Sequence, residues 1–247
     1  MDTTARDEVR EEIRSVVTDV LDKGGATWAA CADAGLLGLA APESCGGEGL
    51  GLGEVGVLLH EVGRRALDLP VWETVACGLL TIAASGTPEL QRRLVPEIIA
   101  GTLLVAPAQS EAGAALPRTP LTTLRDGLVT GHKVDVPALS APAGGRVLLM
   151  VSTDGGVVLV DPTGPGVSAT PNYASRDTPS STAGAGLTGY VFDEAPAVEV
   201  LDDTAATVLR EHAVAGLLLL GDGLVAGALD LTAGYVRERS QFGRRLA

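Results

Sequence analysis

The spacing of the apolar residues changes twice along this chain, and those two changes limit its fold more than any single motif does. From Ala5 to Ala100 apolar residues recur at helical intervals: Val9, Ile13, Val16 and Val20, then Val55, Leu58, Leu59 and Val62, then Leu90, Leu94 and Ile98. Residues three and four apart share one helix face, so each set predicts an amphipathic helix, and the region reads as a bundle of about five helices. Pro42, Pro70, Pro88 and several glycines punctuate it, and Thr87-Pro88-Glu89 has the form of an N-cap followed by proline at the first helical position.

Between Leu103 and Val200 the pattern turns into short apolar runs separated by turn residues. Arg146-Val-Leu-Leu-Met-Val151 and Gly156-Val-Val-Leu-Val160 are joined by Ser-Thr-Asp-Gly, a hairpin signal, and Thr188-Gly-Tyr-Val-Phe192 is a further strand. Asp161 to Gly166 and Ser175 to Gly186 hold too much Gly, Pro, Ser and Thr for either element and read as loops. From Asp202 the helical spacing returns through Leu217, Leu220, Leu224, Ala228, Leu231 and Tyr235. The predicted fold is α+β: an N-terminal helical domain over residues 1–102, a middle antiparallel β-domain over 103–200, and over 201–247 the first helix of a C-terminal helical bundle.

With 247 residues and 46% hydrophobic content the chain can bury a sizeable core. Its formal charge of −13 repels phosphodiester backbones and anionic lipid, which argues against nucleic-acid and membrane-surface roles. Arg237, Arg239, Arg244 and Arg245 form the one basic cluster, which reads as a solvated face or an intersubunit contact. Arginine exceeds lysine sixteen to two, a bias that points to a GC-rich bacterial genome and carries no mechanism. Cys31, Cys45 and Cys77 lack paired spacing and read as small core residues. The start has no apolar leader, and the run Ala213 to Leu220 gives way to Gly221-Asp222 before reaching membrane-spanning length, so a cytoplasmic protein is expected. His60, His132 and His212 have no metal-ligand spacing, and no metal is expected. Gly51-Leu-Gly53-Glu-Val-Gly56 matches a dinucleotide fingerprint, but the loop before it and the helix after it give the wrong context.

Three ordered segments and the C-terminal stretch carry a family resemblance. Leu36 to Gly49, with Pro42-Glu43 and Gly46-Gly47 inside it, precedes the helix bearing His60-Glu61-Val62-Gly63-Arg64; Gly86 to Thr102 follows, with Gln91 and Pro96; Tyr235-Val-Arg-Glu-Arg239-Ser-Gln-Phe242-Gly243 comes last. This series resembles the acyl-CoA dehydrogenase family over essentially the whole chain. The resemblance implies FAD as cofactor, an acyl-CoA thioester as substrate, and an oligomer in which Arg239 and Phe242 meet a flavin held mainly by the neighbouring subunit. It also implies an electron-transfer flavoprotein or similar acceptor.

The same resemblance marks Gln109-Ser110-Glu111 and Gly131-His132-Lys133-Val134-Asp135-Val136-Pro137 as flavin segments, with Gln109, Ser110, Val136 and Pro137 as cofactor-binding candidates. Asp135 stands where the family has a tryptophan against the flavin, which removes about 1 kcal/mol of stacking. Pro137 replaces a hydrogen-bonding threonine. The implied reaction removes an α-proton with a carboxylate base and the β-hydrogen as hydride. The usual base lies beyond Gly243, where this sequence has only four residues, and some branches place it at the position of Ala213. Glu211 is the candidate two residues away, against its plainer reading as a solvated first-turn carboxylate. Two expectations follow: a dehydrogenase that needs further C-terminal sequence, or a half-site or structural subunit of a heteromer. In both, the isolated chain is inactive.

Overall fold

The computed structural model describes residues 3–23, 25–171, 186–241 and 244–245. Helices come first: α1 (Thr3–Lys23), α2 (Trp28–Asp33), α3 (Leu52–Arg64), a π-helical segment Trp72–Leu79 that continues into α4 (Leu80–Ser85), and α5 (Pro88–Ile99). The start of α5 is as predicted. Thr87 Oγ1 accepts from Leu90 N at 3.2 Å, and Pro88 opens the helix where its missing N–H leaves no bond unmade. On α3, Val55, Leu58, Leu59 and Val62 are all buried. On α1 the phase differs from expectation: Ile13, Val17 and Leu21 face the core while Val16 is half exposed. Adjacent valines offer two overlapping helical stripes, and only the packing against α3 selects one.

The middle region holds β1 (Leu103–Ala108), β2 (Thr123–Arg125), β3 (Leu128–Pro137), β4 (Arg146–Thr153), β5 (Gly156–Val160), β6 (Val167–Pro171), β7 (Leu187–Pro196) and β8 (Glu199–Val200). They form two four-stranded sheets, ordered β1-β4-β5-β8 and β2-β3-β7-β6. Pairing within them is antiparallel as expected, save that β1 runs parallel to β4. A parallel pair needs a crossover, and here the chain makes it through β2 and β3 of the other sheet. Side chains alternate along β4: Leu148 and Met150 join the helical core, while Leu149 and Val151 join the core between the sheets. Burial of both faces explains the unbroken apolar runs at β4 and β5. Of the loop expected over Ser175–Gly186, all but Gly186 lies outside the described residues.

α6 (Ala205–Glu238) is one continuous helix, as the spacing through Tyr235 predicts, and it corrects the expectation that Gly221-Asp222 leaves its apolar stretch short of membrane-spanning length. A glycine inside a helix costs about 1 kcal/mol and does not by itself stop it. By length and composition α6 could cross a membrane. One face docks on α3 through Leu220 and Gly223 and on Trp72 and Ala76 of the π-helical segment through Gly216, while Leu218, Val225 and Leu231 on other faces are largely exposed. Arg64 clamps the pair, its Nε and Nη2 reaching Asp230 Oδ2 at 3.0 and 2.7 Å. Gly53 and Gly56 lie inside α3, whose only glycine at the entry is Gly51 in a loop, so no strand-turn-helix dinucleotide site exists there. After α6, β9 (Ser240–Gln241) and β10 (Arg244–Arg245) pair antiparallel.

Candidate functional site

Where the helices meet the β-domain, a cavity of about 300 Å³ opens. The π-helical segment contributes Trp72 and Glu73; the loop after β1 gives Gln109, Ser110, Ala115 and Leu116; β3 gives Asp135 and Pro137; α6 gives Ala213 and Leu217. Trp72 Nε1 donates to Ala213 O at 2.9 Å, tying the helical wall to α6. Most of the lining is apolar, the usual character of a small-molecule site.

The loop wall is fixed from behind by a buried ion pair. Lys133 Nζ donates to Glu111 Oε1 at 2.7 Å and to Gln109 O at 3.3 Å. Glu111 also accepts from Leu121 N at 2.7 Å, Thr122 N at 3.0 Å and Thr122 Oγ1 at 2.8 Å. Burial pushes the Glu111 carboxyl up, but these donors outweigh it and hold its pKa down to about 2. Ser110 Oγ donates to Ala115 O at 2.9 Å, folding the loop back over the cavity edge.

On β3 a bulge spans Lys133 to Val136, opposite Tyr190 and Thr188 of β7, and Asp135 takes φ +52° there. Left-handed backbone at a non-glycine residue is strained, and such residues concentrate at functional sites. The bulge turns Asp135 and Pro137 to the cavity and Val136 inward.

Gln109, Ser110 and Pro137 therefore meet at one cavity, whereas Val136 does not: it is buried in the core between the sheets. Glu211 is outside the cavity as well. It lines an adjoining polar groove with Arg210, Arg118 and Asp154, which shares Gln109 and Leu116 with the cavity. Because α6 begins at Ala205, Glu211 is in its second turn, not the first, and the dipole argument for it weakens. Arg239 is exposed at the end of α6, its guanidinium 5.1 Å from the centre of the Tyr235 ring. Phe242 lies outside the described residues. Glu73, fully buried in the cavity wall, was not legible as a site residue, because Trp72-Glu-Thr-Val-Ala-Cys77 reads as ordinary helix. Cys31 and Cys77 are buried as expected; Cys45 is half-buried, and all three are free.

A family model for the N-terminal domain of acyl-CoA dehydrogenases matches residues 1–102. The chain is 37% identical over 240 residues to the acyl-CoA dehydrogenase FadE28 of Mycobacterium tuberculosis, covering 96% of this chain and 67% of that one. The chain belongs to the acyl-CoA dehydrogenase family. A second acyl-CoA dehydrogenase of that organism, FadE27, is 30% identical over 230 residues, of which this chain spans 57% of the length. Among solved structures, a variant of the Tcur3481-Tcur3483 steroid ACAD superposes with a TM-score of 0.78 at 32% identity, covering 97% of this chain and 68% of that one. The ChsE4-ChsE5 complex from Mycobacterium tuberculosis gives 0.74 at 26% identity, covering 100% and 70%. Butyryl-CoA dehydrogenase from Megasphaera elsdenii, at 16% identity and a TM-score of 0.74, shares the acyl-CoA dehydrogenase fold.

Proposed function

We propose that this chain serves the FAD-dependent α,β-dehydrogenation of an acyl-CoA thioester, within an assembly that completes its surfaces. The observation that carries this reading is the meeting of Gln109, Ser110, Pro137, Ala213 and Leu217 at one largely apolar cavity. Gln109 and Ser110 offer polar groups to the thioester and the flavin edge, Pro137 an apolar face to the ring, and Leu217, Leu116 and Trp72 line the acyl path. The fit to a flavin is one-sided, since Asp135 brings a carboxyl group to a place where an aromatic face would stack. When bound, FAD supplies the hydride acceptor. An isolated thioester α-proton is too weakly acidic for a carboxylate at neutral pH, so donors must meet the thioester oxygen as the enolate forms.

Neither Ala213 nor Glu211 provides a base inside the cavity: Ala213 has no titratable group, and Glu211 belongs to the neighbouring groove. A half-site subunit of a heteromeric dehydrogenase is the form we favour. The Tcur3481-Tcur3483 steroid ACAD and the ChsE4-ChsE5 complex, each a pair of proteins similar to this chain, support it. So does the exposed apolar surface of α6, which needs protein cover. Electrons would pass to an electron-transfer flavoprotein or similar acceptor. The test is to purify the chain alone and after co-expression with a homologous subunit from the same operon, and to measure bound flavin and acyl-CoA oxidation with an artificial acceptor. The co-expressed complex is expected to hold flavin and turn over; steady turnover by the isolated chain, lost in Glu211→Gln, would overturn the half-site form.

A further inference from the structure

Gln109 and Leu116 line both the cavity and the polar groove of about 880 Å³ beside it, so these two residues stand at the partition between them. Leu116 belongs to a loop, residues 112–120, that is shut at its base by the Glu111 carboxylate, which accepts from Leu121 N and Thr122 N. Beyond that base the loop reaches α6. There the half-buried Arg210 donates from Nη1 to Leu116 O at 2.8 Å and from Nη2 to Pro117 O at 2.6 Å. A guanidinium holds its donors in a rigid fork, so two bonds to successive carbonyls fix the direction of the loop as well as its distance. Arg210, Ala213 and Leu217 follow one another at helical spacing and share one face of α6, which passes from the groove at Arg210 to the cavity at Ala213 and Leu217. The fork therefore holds Leu116 against the turn of α6 where groove gives way to cavity.

We propose that Arg210 is a positioning residue: by gripping the Leu116 and Pro117 carbonyls it sets the passage between groove and cavity, and with it the fit of the arm that joins an acyl group to its carrier. The proposal rests on the acyl-CoA reading. An acyl-CoA links an apolar chain to a long, phosphate-bearing carrier. The chain suits the cavity, and the carrier suits a groove that offers the hydroxyl groups of Thr119, Ser152 and Thr207 and the exposed Arg118. The arm between them must then pass Leu116. Glu111 already closes the base of the loop, so the contribution of the fork falls on where Leu116 stands.

The test uses the complete assembly with its partner subunit, an artificial electron acceptor and two substrates. Hexanoyl-CoA spans groove and cavity; hexanoyl-N-acetylcysteamine keeps the thioester and drops most of the carrier. Values of kcat and KM are measured for wild type, Arg210→Lys and Arg210→Gln, with folding checked by thermal melting. Both variants are expected to raise KM for hexanoyl-CoA about 10-fold, the loss of one hydrogen bond from a charged donor, with kcat within about twofold of wild type. KM for the truncated thioester should stay within about twofold. Lysine keeps the charge but not the fork, so full recovery in Arg210→Lys would make Arg210 a simple charge for the carrier and overturns the proposal. An equal rise for the two thioesters, the mark of a residue that only holds the fold, overturns it too, as does an unchanged KM for both. Leu116→Phe, which crowds the passage with the Arg210 bonds in place, needs hexanoyl-CoA alone and stands even if the Arg210 variants fail to fold. It should raise KM for hexanoyl-CoA by at least as much, and an unchanged value there also overturns the proposal. A wild-type complex that turns over neither thioester overturns the acyl-CoA reading itself; every other result presupposes that turnover and bears on Arg210 alone.

Discussion

Four donors converge on the Glu111 carboxylate, and Lys133, with no exposed surface, is one of them. Removing one partner of a buried pair strands the other, at about 3–5 kcal/mol. Glu111→Gln should therefore lower the unfolding free energy by that order at neutral pH, measured by urea denaturation. The folded carboxyl is held near 2, below its unfolded value, so its contribution is complete above about pH 5 and drains away as the pH falls toward 2. Wild type should lose stability over that window, and Glu111→Gln should lose less. At Glu211 the expectation is the reverse: because it stands outside the cavity, Glu211→Gln should change turnover of the assembled enzyme by less than about twofold. None of this follows from residue identity. Glu111 and Lys133 are 22 residues apart and meet only because β3 runs behind the loop that follows β1.

α3 and α6 approach so closely that glycine is required on both. A Cβ on Gly63 would lie 2.2 Å from Leu220 O, one on Gly223 2.0 Å from His60 O, and one on Gly227 2.0 Å from Arg64 O. Gly221 faces open space. Gly223→Ala should destabilise by about 1–3 kcal/mol through forced separation of the helices. Gly221→Ala in the same helix should stabilise by up to about 1 kcal/mol, since only the backbone entropy term remains. Thermal melts of the two variants should move in opposite directions, and equal shifts would refute the packing argument. The sequence offers these glycines as interruptions of an apolar run; the helix uses them as contact points.

On the scale of the molecule, α6 buries one face against α3 and leaves Leu218, Val225, Leu229 and Leu231 open. Under the proposed heteromer this surface meets a partner or further chain. Replacing Leu218 and Val225 by lysine should abolish co-purification with the homologous subunit while leaving the circular dichroism of the chain unchanged; undiminished co-purification would place the interface elsewhere. Arg239, exposed at the helix end, should matter to the cofactor and not to the fold: Arg239→Ala is expected to reduce flavin occupancy of the complex with little change in melting temperature.

Much of the architecture was legible because it is written in periodicity. The stripe of Val55, Leu58, Leu59 and Val62 and the cap at Thr87 are local facts, fixed by side-chain spacing and by one hydroxyl within reach of one N–H. The alternation that builds β4 and β5 is local too, although the parallel partner of β4 is not, because that pairing depends on a crossover through another sheet. The site was legible only in part. Gln109, Ser110 and Pro137 could be named from their motifs, but the bulge that turns Pro137 toward the cavity and Val136 away arises from register against β7. Glu73 carries no sequence signal at all. A carboxyl group four residues before a buried cysteine looks like any helical glutamate until the helices, the loop after β1 and α6 close around it, and burial is a property of that enclosure and not of the residue.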